Sequence, residues 1–363
     1  MEGTVFQGAS TKGEASLSEY TMTEIRPTDR HALQQLDQLL AKEKISRDRN
    51  LDYTAGLFDE EFRLVATGSC FANTLRCLAV DDAHQGEGLM NQIITHLMEY
   101  QMQRGNARLF LYTKCDKTMF FSDLGFYEIA RVEDRVAFME NRKNGFSAYL
   151  DQLAAQKKEG RSAALVMNCN PFTLGHRYLV EKTANENDVV HLFVVSEDAS
   201  FFPFSDRYAL VAAGCADLRN VILHQTGSYM ISSAVFPSYF LQDEQAVIEA
   251  HARLDLALFQ KIAGALGVSR RYVGEEPFSL VTGIYNQVMQ RELPKAGIEC
   301  VVIPRKEQGG QAISASVVRQ RIHDGKLEEI RPLVPPSTFA YFSTEAGQET
   351  IRKIQAAVAV VHY

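Results

Sequence analysis

Asn168-Cys169-Asn170-Pro171-Phe172-Thr173-Leu174-Gly175-His176 is the stretch whose reading decides what the chain is. An apolar run, Ala163 to Met167, leads into it, and a helix-like run from Arg177 to Ala184 leads out. Strand, tight polar turn, helix is the unit that aims a helix N-terminus and its N–H groups at an anion. Pro171 lacks a donor and disfavours helix at Asn170, so the helix is predicted to start after the turn. Gly175, with no Cβ, lets a ligand come close to the backbone. His176 falls in the first helical turn, where a ring N–H reaches a phosphate oxygen. The same residues also suit a buried strand–helix turn with a histidine cap, and the stretch alone leaves both readings open.

A second stretch narrows the choice. In Ile313-Ser314-Ala315-Ser316-Val317-Val318-Arg319, Ser314 is a natural helix N-cap, and Ser316 and Arg319 lie three apart on one helical face. An ordinary cap followed by a solvated arginine would read the same way. Taken together, Thr173-x-Gly175-His176 resembles the T/HxGH signature of the nucleotidyltransferase superfamily, and Ile313 to Arg319 resembles its ISxSxxR segment. The two occur in the family's order, ~140 residues apart, as one α/β domain allows. The resemblance implies attack on the α-phosphorus of a nucleoside triphosphate with release of pyrophosphate.

With 363 residues, the chain is predicted to form two domains. Its 46% apolar and 23% charged residues are those of an ordinary globular protein. A net charge of −7 argues against a broad nucleic-acid surface but permits a local basic pocket. The six cysteines form no CxxC pair and read as scattered reduced thiols, and no histidine spacing suggests a metal site. No 18-residue apolar run occurs, and Met1 to Tyr20 is polar and acidic, so a cytoplasmic protein without membrane contact is expected.

Residues 1–19 are expected to be disordered. From Tyr20 the pattern tightens: Leu33, Leu36, Leu39 and Leu40 follow helical spacing, and strands are predicted at 62–67, 74–80 and 108–113. Between them, Gln85-Gly86-Glu87-Gly88-Leu89-Met90 opens a helix with Ile93, Ile94 and Leu97 on its apolar stripe. Residues 20–140 thereby resemble a GNAT-type acetyltransferase domain, whose Q/R-x-x-G-x-G/A loop holds the pyrophosphate of coenzyme A. Gln85, Gly86 and Gly88 match that loop, while Met90 replaces its last small residue. Phe121 stands where many members carry the tyrosine that protonates the leaving thiolate. The resemblance therefore implies a module that binds a CoA-like group rather than a working acetyltransferase.

The polar, basic stretch 141–160 is read as a linker. After it, strand-like runs at 163–167, 189–195, 221–224, 271–273 and 299–303 alternate with helical ones, as a Rossmann-like parallel sheet over 161–340 requires. Ligands bind at the carboxyl ends of such strands, here Met167/Asn168, Val195/Ser196, Val273/Gly274 and Ile303/Pro304. Residues 341–363 are read as a C-terminal tail. The fold class is α/β: a GNAT-like domain, then a nucleotidyltransferase domain.

Ser196 to Arg207 resembles a nucleotidyltransferase loop that often carries a basic residue before its P-[FL]-[ST]-x-x-R part. Arg207 is retained, but Phe201 takes the basic position, so that phosphate contact is missing or comes from elsewhere. With the segments 227–232, 234–240 and 273–278 and the GNAT-like domain in front, residues 20–340 resemble the citrate lyase ligase family. That resemblance implies an acid–thiol ligase. ATP and acetate would give acetyl-AMP and pyrophosphate, and the acetyl group would pass to the phosphoribosyl-dephospho-CoA thiol on the acyl carrier subunit of citrate lyase. It implies Thr173, His176 and Arg319 as catalytic residues, with Ser314 and Ser316 also on the triphosphate. Asn168, Asn170, Phe172, Gly175, Arg207 and Gly274 would line the nucleotide site, and Mg²⁺ would arrive with ATP. An adenylyltransferase making a dinucleotide, or a nucleotide-sensing regulator, would use the same motifs; the extra first domain argues against the former.

Overall fold

The computed structural model describes residues 20–48, 50–197, 200–230, 236, 244–275 and 280–360. The first 19 residues, expected to be disordered, lie outside that range, as does much of the segments 231–243 and 276–279. The chain divides into two compact units, Met1–Leu109 and Phe110–Tyr363.

In the first unit, strands β1 (Thr21–Glu24), β2 (Tyr53–Phe58), β3 (Leu64–Phe71) and β4 (Thr74–Val80) pair antiparallel in sequence order. Helix α1 (Arg30–Lys42) is capped by Asp29, which accepts from Ala32 N at 3.0 Å, and buries Leu36, Leu39 and Leu40 as their spacing predicts. Helix α2 (Leu89–Gln103) starts at Gly88 and buries Ile93, Ile94 and Leu97.

The second unit opens with β5 (Phe110–Thr113), α3 (Thr118–Asp123), β6 (Tyr127–Val132) and β7 (Val136–Glu140), where β7 pairs antiparallel with both other strands. Helix α4 (Gly145–Ala154) follows. It lies within the stretch 141–160 read as a linker with a short helical pattern around 149–155: Phe146 and Leu153 are buried, Phe146 packs 4.8 Å from Tyr229, and Tyr149 Oη donates to Gln225 O at 3.1 Å. Two apolar anchors outweigh a polar composition.

Next come β8 (Ser162–Met167), α5 (Leu174–Glu186), β9 (Val189–Val194), α6 (Phe204–Gly214), β10 (Val221–Gln225) and α7 (Glu244–Leu266). After these stand β11 (Arg270–Gly274), α8 (Leu280–Glu292) and β12 (Glu299–Ile303). The five strands form a parallel sheet in the order β10-β9-β8-β11-β12. The five predicted strands and the parallel α/β class are what the structure has. Strand β8 alternates between two cores: Ala163, Leu165 and Met167 face one, Ala164 and Val166 the other. Both faces are covered, which is why β8 reads as an unbroken apolar run.

Helix α7 shares its core with β6 and β7, through Ile129, Val136 and Phe138 on one side and Phe259 and Ile262 on the other. Lys261 Nζ donates to Ile129 O at 2.5 Å, and Tyr229 Oη donates to the buried Glu140 carboxylate at 2.9 Å.

A two-stranded ribbon, β13 (Glu307–Gln308) with β14 (Gln311–Ala312), leads to α9 (Ala315–His323), α10 (Pro336–Tyr341) and α11 (Glu345–Ala356). The expected C-terminal tail thus contains a helix, and its Thr350 and Ile354 are buried. No helix among the described residues is long and apolar enough to cross a membrane.

Between β9 and β10 lies a buried histidine pair, His191 Nδ1 to His224 Nε2 at 2.8 Å. Burial pushes both rings down to about 4. The unfolded chain, with imidazoles near the ordinary ~6.5, binds protons that the folded chain refuses. Stability is full above that value and is lost progressively as pH falls from it toward 4. Melting temperatures between pH 7 and 4.5 should fall in the wild type and follow a shallower slope in a His191→Leu/His224→Leu double variant.

Candidate active site

The ends of β8 and β9 are tied by Val195 N to Met167 O and those of β11 and β12 by Glu275 N to Ile303 O, and the start of α5 lies against the backbone ahead of α9. The chain runs from β8 outward to β9 and β10, then returns on the other side to β11, so a crevice forms between β8 and β11. Thr173 caps α5: its Oγ1 accepts from His176 N at 3.3 Å, while Thr173 N donates to His176 Nδ1 at 3.1 Å. Since Nδ1 is an acceptor, the ring proton sits on Nε2, which becomes the donor for a ligand. Burial, with the charges of Arg305 and Arg319, pushes His176 down to about 4. The ring is therefore a neutral donor near pH 7, in keeping with the ring N–H expected to reach a phosphate oxygen.

Ser314 caps α9, accepting from Val317 N at 3.2 Å, and its Oγ lies 2.9 Å from that of Ser316. The two caps stand side by side. A Cβ on Gly175 would lie 2.7 Å from Ile313 O, so the glycine admits the backbone that precedes the second motif. That is a correction: Gly175 was expected to admit a ligand, and its open side is filled by the chain itself.

Several expected site residues hold the loops together. Arg207 is fully buried; its Nη1 donates to Asn168 O at 2.9 Å, Asn168 Oδ1 at 2.8 Å and Val195 O at 2.7 Å, and its Nε to Phe202 O at 3.0 Å. Asn168 Nδ2 donates to Ser200 Oγ at 3.2 Å, and Asn170 Oδ1 accepts from Phe202 N at 3.3 Å. Phe172 is fully buried, stacks on the His176 ring at 5.9 Å and fills the space a side chain at Gly214 would need. Arg319 is 4% exposed and staples the two motifs, with Nη1 to Asn170 O at 2.5 Å and Nε to Val360 O at 2.8 Å.

Gly274 ends β11, and its carbonyl accepts from Asn286 Nδ2 at 3.1 Å. It lines a cavity of about 290 Å³ with Val166, Val195, Arg271, Asp255 and Tyr285. Arg271 is 4% exposed, and its Nε and Nη1 have no partner among the described residues. This cavity was not read from the sequence: Arg271, Asp255 and Tyr285 belong to three separate elements with no shared motif. Among the described residues, no group of three or more His, Cys, Asp or Glu is placed to hold a metal ion.

In the first unit, Gly86 and Gly88 have φ of 89° and 76°, and a Cβ on either would meet nothing within 4 Å. The loop they form is open. Gln85 Nε2 donates to Asp82 Oδ1 at 2.6 Å, and Met90 is half-buried. In the second unit, Phe121 is buried at the position where a tyrosine was looked for.

Residues 162–342, which hold both motifs, match the family model described as the citrate lyase ligase C-terminal domain. The chain is 38% identical over 327 residues to the [citrate [pro-3S]-lyase] ligase of Klebsiella pneumoniae, covering 88% of this chain and 95% of that one. To the enzyme of the same name from Escherichia coli K12 it is 36% identical, covering 88% and 92%. The crystal structure of a GNAT-family acetyltransferase from Staphylococcus aureus Mu50 aligns at 15% identity and a TM-score of 0.30, covering 33% of this chain and 97% of that one.

The contact at Gly175 has a measurable consequence. Gly175→Ala forces the two helix starts apart and should cost about 1–3 kcal/mol of stability. Gly274→Ala adds a methyl that meets only Leu179 Cδ2 at 3.8 Å and should stay within about 0.5 kcal/mol of wild type. Urea midpoints check the pair; an unperturbed Gly175→Ala would remove the contact as the constraint that joins the motifs.

Proposed function

Because this chain belongs to the citrate lyase ligase family, an acid–thiol ligase family, we propose that it uses ATP and acetate to acetylate the thiol of the prosthetic group on the citrate lyase acyl carrier subunit. The observation that carries this reading is the side-by-side capping of α5 and α9, which points two helix N-termini at one place beside the strand ends. In the first step an acetate oxygen attacks the α-phosphorus of ATP and pyrophosphate leaves, giving acetyl-AMP. In the second the acceptor thiolate attacks the acetyl carbonyl, the thioester forms and AMP leaves. The first step needs no covalent work from the protein, so position and charge stabilisation dominate.

Each residue has a part in that chemistry. His176 Nε2–H donates to an α-phosphate oxygen, with Thr173 and Phe172 fixing the ring's tautomer and plane. Ser314, Ser316 and the first-turn N–H groups of both helices receive the outer phosphates. Arg319 holds the second motif against Asn170 while its charge adds to the local positive field. Mg²⁺ enters with the nucleotide as part of the substrate, held by phosphate oxygens and water. The cavity lined by Val195 and Gly274 gives room for the acid.

The first unit is read as the holder of the acceptor's CoA-like arm. Its support is the open Gly86–Gly88 loop, whose backbone can approach a diphosphate. Met90 and Phe121 argue against acetyl transfer to amines, since neither leaves the usual small pocket or proton donor.

Two assays test the reading. Acetate-dependent pyrophosphate release, followed with and without the thiol form of citrate lyase, should end in AMP rather than a dinucleotide. His176→Ala should fold and lose about 10²- to 10³-fold in rate, the size expected for one charge-stabilising donor. Near-normal turnover in that variant would sink the assignment. Separately, a bulky residue at Gly86 or Gly88 should spare acetyl-AMP formation and lower carrier acetylation; equal retention of both would leave the first unit without a role in the acceptor.

A further inference from the structure

We propose that Arg305, with Lys306 beside it, is the side-chain cation that meets the polyphosphate of the nucleotide. The inference rests on the ATP reading above and deepens it. A triphosphate brings about four negative charges, and helix termini supply only about half a charge each. Yet the arginines picked out by motif are turned to other tasks: Arg207 is fully buried, and Arg319 is 4% exposed and donates to two backbone carbonyls. Phe201 occupies the position where a basic residue was looked for. The site is short of a cation at its rim.

Arg305 stands at that rim. It follows β12 and Pro304 directly, at the carboxyl edge of the sheet, and is half-buried. Its Nε donates to Glu275 O at 2.8 Å, and Glu275 N donates to Ile303 O at 2.8 Å, so the ends of β11 and β12 are knitted around it. Lys306 O accepts from Ile313 N at 2.9 Å, and Lys306 Nζ lies 5.8 Å from the centre of the Tyr178 ring on α5. Ile313 is the residue whose carbonyl fills the open side of Gly175. Through Lys306 the pair is tied to Ile313 ahead of α9 and lies near Tyr178 of α5, two residues beyond His176. The ribbon β13–β14, turned by Gly309 and Gly310 at φ of 60° and 76°, fixes the span between the cations and Ser314. The depressed affinity of His176 for a proton is in keeping with this placement: after burial, the charge of Arg305 lowers it more than that of Arg319.

Titration calorimetry of the full chain tests the proposal with ATP, inorganic tripolyphosphate and AMP as probes. Arg305→Ala should weaken ATP and tripolyphosphate about 10- to 100-fold, the loss of one or two charge-assisted hydrogen bonds, and AMP by under about threefold. Arg305→Lys should recover part of the loss, and Lys306→Ala should show a smaller effect of the same pattern. In the ligand-free Arg305→Ala protein, the His176 ring should titrate at higher pH by NMR. Unchanged tripolyphosphate affinity in a folded Arg305→Ala protein overturns the proposal, and so does an equal loss for AMP and ATP, the mark of a merely structural arginine. If Arg305→Ala fails to fold, Arg305→Gln carries the same comparison. Wild-type protein that binds neither ATP nor tripolyphosphate would instead overturn the nucleotide reading itself.

Discussion

The site depends on one close approach of backbone to backbone, Gly175 against the carbonyl of Ile313. A methyl at that position would lie 2.7 Å from the oxygen, a separation real side chains do not adopt. Only because residue 175 has no Cβ can the capped start of α5 sit against the capped start of α9. Everything chemical in the site follows from that adjacency. Two helix starts, each with a positive end, stand side by side there. The stacking of Phe172 on His176 and the staple from Arg319 to Asn170 O lock the arrangement, and burial excludes competing water.

This geometry also divides the charged residues by task. Buried guanidinium groups make good ties because each offers five donors in a fixed plane. Arg207 uses them to join the ends of β8 and β9 to the loop before α6, and Arg319 to join the two motifs. A guanidinium so engaged still contributes its charge to the field at His176 but has little left to offer a ligand directly. The histidine, in turn, is neutral because it is buried among positive charges. A neutral Nε2 donor suits a phosphate: it adds a hydrogen bond in the place where negative charge gathers without demanding a proton at working pH.

The chain as a whole carries a net charge of −7, yet the surroundings of the two motifs are basic. That contrast is local electrostatics, set by which side chains the fold gathers, and it keeps an acidic protein compatible with an anionic substrate. The core of the second unit shows the same economy of parts. Helix α7 covers one face of the parallel sheet and also packs on β6 and β7, so one helix serves two sheets.

Much of this was legible in the residues. The five parallel strands, the helix start after Pro171 and the cap at Ser314 follow from local signals, apolar runs, proline and N-cap chemistry, and the pairing of two distant motifs from the family resemblance. Local signals could not decide which partner each polar group takes. The family resemblance assigned Asn168, Asn170, Arg207 and Arg319 to the nucleotide site; in the fold Arg207 and Arg319 donate to backbone carbonyls and Asn168 and Asn170 take partners in the next loop, while Asn170 Nδ2 has no hydrogen-bond partner among the described residues. Residues 141–160 read as a linker because composition counts charges, whereas Phe146 and Leu153 find a core supplied by α7 and Tyr229, remote in sequence. Arg305 went unmarked because nothing in Pro304-Arg305-Lys306 signals its nearness to His176. The sequence determined where the two helices start; the tertiary structure decided that the starts meet, because only the folded sheet brings Ile313 to the open side of Gly175.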